Sequence, residues 1–429
     1  MTQQTTSRRG FLKTSAAASA AVAAVGCMNV PAVHAAGDDK IKIGLIGCGG
    51  RGRGACGNAI EAAKNVQVIA IGDLFPDRIA ETKELFKDRP KEKFDLGDRA
   101  FSGWDAYKKV LETDANYIIT ATPPAFRPMI IEASVNAGKH VFGEKPFGVD
   151  PVSCRKILVS AEKAKEKGIG VLAGAQRRHH RGYMEVIKRI HDGAIGQILA
   201  MQGYWLDQEL WSKLRQPEWS DLEFQLRNWL YYTWLSGDHI VEQHLHQIDV
   251  ACWVMGGPPK YCFGVGGRQA RTDPQFGYIY DHFAIEYEFP NGAKFNSMCR
   301  QTNNTMSRIS EHVFGAKGHA TCERMIEMYG EKAPLYKYQP PEDEETNPYV
   351  LEHKDFIDSI RAGKPLNEGK ECCESTLAAI MGRMAAYTGK LVTWKHVSVD
   401  SKESLIPEKL EFGPFPVPPV AIPGKTPLL

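Results

Sequence analysis

A chain of 429 residues, 43% hydrophobic and 24% charged, has the composition of a globular protein and the length for two domains. Its formal net charge is +2, and without Arg8, Arg9 and Lys13, which fall in an N-terminal leader, it is close to zero. That balance excludes the basic surface on which nucleic acids or anionic membranes are held.

Residues 7–13, "SRRGFLK", precede a mild apolar run from Ala16 to Val25 and a small-residue exit at Val33-His34-Ala35. This is the pattern of a twin-arginine signal, placed at residues 1–36, which addresses a folded protein to the Tat export machinery. The apolar run is too short and too alanine-rich to span a bilayer, so no membrane span is expected. The expected location is the periplasm or an equivalent exported compartment. Cys27 only weakly resembles a lipoprotein attachment site, because Ala24 stands where leucine is usual. The ten cysteines are scattered without a Cys-x-x-Cys pair and read as buried free thiols.

From residue 37 to 175, strand and helix patterns alternate. Strands are predicted at 40–47, 66–73, 117–122, 140–146 and 168–175. A helix follows the first strand to about Lys64, Pro76 opens the next, and Gly138 stops another at Ala137. Short apolar strands separated by helices specify a doubly wound parallel sheet, the α/β architecture of a Rossmann domain. From 176 to 395 longer alternating strands follow one another at 197–205, 261–269, 278–289, 293–301 and 307–315, with a hairpin signal at Pro290-Asn291-Gly292. They predict a second α/β domain with a large, mostly antiparallel sheet, and helices at 350–362 and 371–388 packing back. Residues 396–429 read as a proline-rich arm in extended conformation, expected to dock on a neighbouring subunit from about Phe412.

The first predicted strand runs into Gly47-x-Gly49-x-x-Gly52 and then a helix. The first glycine makes the turn, the second admits a pyrophosphate, and the third lets helix and strand approach. Gly50 and Arg51 lie in the same turn. Asp73, at the end of the second strand, is placed to bond the adenosine ribose and to repel a 2′-phosphate. NAD is therefore favoured over NADP, with Arg78 as the residue that complicates the choice. Further on, Val241, Leu245, Ile248 and Cys252 form an apolar stripe, and Glu242, His246, Asp249 and Trp253 repeat its spacing one residue later. On one continuous helix, Glu242 would orient His246 four residues on.

The leader, "GCGGRGRGA", "ATPP", "GEKP" (143–146) and "EQHLHQID" (242–249) together resemble the Gfo/Idh/MocA oxidoreductase family over nearly the whole mature chain. The resemblance implies that Lys145 reaches both nicotinamide and substrate, with Glu144 beside it at the cofactor. It places His246 at the catalytic histidine, followed by Asp249, with Glu242 where aspartate is usual. It sets Thr122 and Pro123 against the adenine side of the cofactor and Gln176 at the nicotinamide. Arg127 stands where histidine is common. These residues imply oxidation of an alcohol by hydride transfer to a tightly bound nicotinamide, with Lys145 and His246 handling the proton.

Trp205, Trp211, Trp219, Trp229, Tyr231, Tyr232 and Trp234 precede the candidate helix. Aromatic faces suit sugar rings as well as protein cores, and Arg177, Trp229, Trp234 and His239 are the substrate candidates. The basic run Arg177, Arg178, His179 and His180 suits either an acidic sugar or a solvated rim. No metal set closes among His239, Glu242, His244 and His246. Free NAD is scarce outside the cytoplasm, so an exported enzyme would carry its cofactor and regenerate it in place. A segment should then close over it, either Phe101–Trp104 or the stretch after the leader. The leading expectation is an exported sugar or polyol oxidoreductase, assembled as a dimer or tetramer. The alternatives are a redox-neutral glycoside-cleaving or epimerising enzyme and a non-catalytic carbohydrate-binding protein.

Overall fold

The computed structural model describes residues 40–429. The leader, its cleavage site, Cys27 and the residues just after the leader lie outside the described residues.

The first layer is built from β1 (Ile41–Ile46), α1 (Gly50–Ala62), β2 (Val66–Asp73), α2 (Pro76–Phe86), β3 (Ala100–Ser102), α3 (Ala106–Leu111), β4 (Tyr117–Thr120), α4 (Arg127–Asn136), β5 (His140–Gly143), α5 (Pro151–Glu166) and β6 (Val171–Ala173). The six strands pair in the order β3-β2-β1-β4-β5-β6, all parallel. Helices cover both faces, which is why β4 is buried along its whole length and β1 along nearly all of it. The doubly wound expectation holds. The third strand and third helix are additions to it: β3 has only three residues and no apolar run to announce it.

After α6 (Arg181–His191), the chain enters β7 (Ile198–Asp207), then α7 (Asp221–Arg227), α8 (Thr233–Ser236), α9 (His239–Glu242) and α10 (Leu245–Met255). Strands β8 (Tyr261–Gly267), β9 (His282–Glu288), β10 (Lys294–Gln301), β11 (Arg308–Gly315), β12 (Gly318–Thr321), β13 (Met325–Met328) and β14 (Tyr336–Lys337) come next. Helices α11 (Pro348–Arg361) and α12 (Gly369–Thr388) precede the short β15 (Val392–Thr393). The second sheet has nine strands, ordered β14-β13-β12-β11-β7-β10-β9-β8-β15, and only the β7–β10 pair is parallel. In β9, Phe283, Ile285 and Tyr287 point to the core while their neighbours do not. Helix α11 packs back on the first domain, with Phe356 against Tyr117.

One expectation is corrected here. The continuous helix predicted to carry Val241 to Trp253 is broken. The His244 amide bonds the His239 carbonyl five residues back, and the next bonds shorten to three residues. Side chains at the break are drawn to the sheet: His244 Nε2 lies 2.6 Å from Ser297 Oγ, and Gln243 Oε1 accepts from Gln301 Nε2 at 2.7 Å. A widened turn of this kind rotates the helical residues C-terminal to it, here those of α10. The C-terminal arm packs on its own chain at several points. Phe415 packs on Trp234, and Tyr280 donates to the Ala421 carbonyl.

The nine cysteines among the described residues are all free and buried, as expected. No helix there is long and apolar enough to cross a membrane.

Candidate active site

The glycine turn at the start of α1 fits a dinucleotide. Gly47 has φ +97°, and a Cβ there would lie 2.7 Å from the Ala121–Thr122 backbone. A Cβ on Gly52 would collide with the Gly47 carbonyl oxygen, so only glycine lets helix and strand approach this closely. Gly49 and Gly50, by contrast, face open space. The N-terminus of α1 has no side-chain cap and no acidic residue in its first turn. Its free amides and dipole are therefore open to an anion. They border a cavity of about 930 Å³, also lined by Asp73, Thr122 and Pro123. That is the size of cofactor clefts.

Asp73 ends β2 with one oxygen accepting from the Cys48 amide (2.7 Å) and the other from the Phe75 amide (2.9 Å). Burial pushes its carboxyl up, and these two amides oppose the shift. Arg78 also lines the cavity, but its guanidinium is tied to Glu81 at 3.0 Å. Of the two, Asp73 is the one without a side-chain ion-pair partner among the described residues.

The Glu144-Lys145-Pro146 segment leaves β5 and crosses to the second domain. Lys145 Nζ donates to the Glu242 main-chain carbonyl at 2.5 Å and to its carboxylate at 3.1 Å. Glu144 and Glu352 bracket the Arg51 guanidinium, which also lies over the Tyr349 ring at 4.7 Å. Glu352 is fully buried, and burial followed by repulsion from Glu144 holds its carboxyl well above the usual range. Gln176 donates to the Tyr349 hydroxyl at 3.1 Å, leaving its Oε1 buried without a partner among the described residues. Arg127, also buried, donates to the Thr122 and Pro146 carbonyls, both at 2.9 Å. It holds the two cofactor-side segments together.

His246 is 7% exposed and stacks on Trp205 at 5.6 Å between centroids. Burial, then the charges of Lys145 and Arg177, push its pKa well below the ordinary histidine value. The imidazole is therefore held neutral, with one ring nitrogen able to accept a hydrogen bond.

The expected Glu242–His246 pair is not formed, because the broken helix turns Glu242 towards Lys145. Asp249 does not serve His246 either. Arg178 grips it with bonds at 2.8 and 2.9 Å, and Ser375 donates at 2.7 Å. It anchors α10 to its surroundings.

The substrate candidates separate. Arg177 pairs with the buried Glu311 carboxylate and lies 5.8 Å from the Trp205 ring centre, so it stays beside His246. Trp229 lines the cavity against Trp211 instead of the Lys145 region. Two candidates are corrected outright. Trp234 is buried, with its indole N–H on Gln225 at 2.8 Å, and His239 is buried against Asp238 and the Tyr280 carbonyl. Both are core residues. The basic run is also neutralised internally: Arg178 by Asp249, and His179 by Asp355 at 2.8 Å, which with Glu368 raises the His179 pKa to about 10 against burial.

Residues 41–171 match the oxidoreductase family with an NAD-binding Rossmann fold, and residues 183–321 match the GFO/IDH/MocA C-terminal domain. Inositol 2-dehydrogenase of Salmonella paratyphi B is 23% identical over 350 residues, covering 79% of this chain and 91% of that protein. The 2,7-anhydro-N-acetylneuraminate hydratase of Escherichia coli is 28% identical over 176 residues, 41% of this chain and 43% of that one. The aldose-aldose oxidoreductase of Caulobacter crescentus, solved with glycerol, superposes with a TM-score of 0.64 at 19% identity, over 83% of this chain and all of that one. With both halves matched in this order, and a glycine turn shaped for a dinucleotide, the chain belongs to the GFO/IDH/MocA family of NAD-binding oxidoreductases.

Proposed function

We propose that the protein oxidises a hydroxyl-bearing carbon of a sugar or polyol, and that it works outside the cytoplasm with its NAD retained. The observation that carries this reading is the meeting of Lys145, delivered from the dinucleotide domain, with the second domain beside a neutral, buried His246. NAD, when bound, supplies the hydride acceptor. Gly47, Gly49 and the α1 amides would hold its pyrophosphate, and Asp73 its ribose. Lys145 is a cation able to bond a substrate oxygen, and His246 is an uncharged base able to take the proton that leaves it. Glu242 holds Lys145, while Trp205 and Arg177 wall the histidine. The inositol dehydrogenase and aldose-aldose oxidoreductase likenesses support a polyhydroxylated substrate.

The leader supports export, which would require the cofactor to be regenerated in place. A second reading, oxidation and re-reduction of one substrate around an elimination, is supported by the hydratase likeness. Incubating purified protein with free sugars, polyols and glycosides, without added NAD, tests both. Paired oxidised and reduced products support the first reading. An eliminated or epimerised product supports the second. No product, with turnover only on added NAD and accumulation of free NADH, would overturn retained-cofactor cycling.

Homo-oligomerisation is also proposed. Its support is the outer face of the second sheet, where Phe263 and Val265 of β8 and Met298 of β10 stand exposed on either side of β9.

A further inference from the structure

We propose that residues 404–412 of the C-terminal arm form the fourth wall of the dinucleotide site, at its adenosine end, within the same chain. The inference rests on the groove being the NAD site. The segment is strung between two anchors. At one end Glu403 pairs with the buried Arg383, and the Leu405 amide donates to Asp150 at 2.7 Å. At the other, Phe415 packs on Trp234 with its amide on Asp221, and Gln225 donates to its carbonyl at 3.0 Å.

Between the anchors, Ile406, Pro407, Glu408 and Leu410 border the cavity that also contains Gly49 and Asp73. Phe412 then reaches the opposite bank. Its ring lies 5.5 Å from Trp104 and 6.3 Å from Phe75. Those two residues follow the carboxyl ends of β3 and β2, the strand ends beside the ribose carboxylate. Open α/β sheets bind ligands at this edge. Here the edge is roofed by a short strap held at both ends. The strap joins a domain-two aromatic cluster to two domain-one loops, so a nucleotide beneath it leaves only when the Phe412 contacts open.

The test is the rate at which NADH itself is released. Full-length protein freed of nucleotide is reloaded with NADH, and dissociation is monitored by stopped-flow fluorescence for wild type, Phe412→Ala and Trp104→Ala/Phe412→Ala. Both rings are more than a third exposed, so the fold does not depend on them. Release is expected to be about tenfold faster in the double variant, the scale of a lost aromatic contact. Val417→Ala, an exposed arm residue beyond the strap, should release at the wild-type rate. Tryptic cleavage after Lys409 should also slow when NAD is bound. Wild-type protein that binds NADH, with variants releasing it equally fast and NAD giving Lys409 no protection, overturns the strap while leaving the NAD site intact. Wild-type protein that binds no NADH overturns both.

Discussion

Lys145 and His246 carry the chemistry in this reading, and their contacts set the expected mutant phenotypes. Lys145→Ala and His246→Ala should each lower kcat by roughly 10²–10⁴-fold with the fold intact, as loss of a positioned acid–base group does. Steady-state kinetics and circular dichroism on the same preparations check this. Glu242→Gln should cost less than either, because Lys145 keeps its bond to the Glu242 main-chain carbonyl. Replacing Asp73 with Ser should raise the relative preference for NADP, measured as the ratio of dissociation constants. Unchanged preference would shift the determinant to Arg78. The glycine turn and Asp73 were legible because their placement follows from local geometry, whereas Lys145 and His246 were singled out by the family resemblance of their motifs. The contacts of Arg127 and Glu352 were not legible. Their partners lie 19 and 301 residues away. The one trace of Glu352 is a carboxylate placed beside Phe356 and Ile357 on the buried side of α11.

At the scale of elements, the broken α9–α10 helix is the main departure from periodicity. Apolar spacing at i, i+4 and i+7 described α10 well, but it carried no information about Ser297 and Gln301, the sheet partners of the break. The break also buries imidazoles. His244 is pushed down to about 3 by burial, and His239 and His246 are lowered for the same leading reason. The unfolded chain therefore takes up protons below about pH 6.5 that the folded chain refuses, so stability falls as pH drops from 6.5 towards 3. Each such histidine contributes a slope on the order of 1 kcal/mol per pH unit. Urea unfolding between pH 6.5 and 5 should show this slope, and His244→Gln should flatten it. An identical slope in the variant would remove His244 from the account.

For the whole molecule, the second sheet has one face on α10 and α12 and one face open. On the open face Val265 and Met298 both stand opposite Ala284 of the intervening strand. If this face joins copies, Val265→Glu/Met298→Glu should halve or quarter the mass seen by light scattering and leave the thermal midpoint of the isolated subunit little changed. Wild-type protein that already scatters as a monomer would end the proposal. The C-terminal arm belongs to this scale too. Its prolines excluded helix and central strand, and neither occurs from Ser401 onward, but the five residues His396–Asp400 at its start, before the first proline, form a π-helical turn. Composition alone did not distinguish docking on a neighbour from docking at home.

The sequence by itself determined the two sheets, their order along the chain, the dinucleotide turn and the carboxylate that ends β2. Each of these rests on interactions between residues close in the chain: strand and helix periods, a positive-φ glycine, a carboxylate at a strand end. The tertiary structure alone decided what each charge pairs with. Glu242 holds Lys145, Asp249 holds Arg178, and Trp234 and His239 serve the core. It also brought Ile406, Pro407, Glu408 and Leu410 of the arm to the cavity that Gly49 and Asp73 line. Those outcomes depend on which segments the packed core brings within a few ångströms, and local spacing carries no trace of a partner a hundred or more residues away.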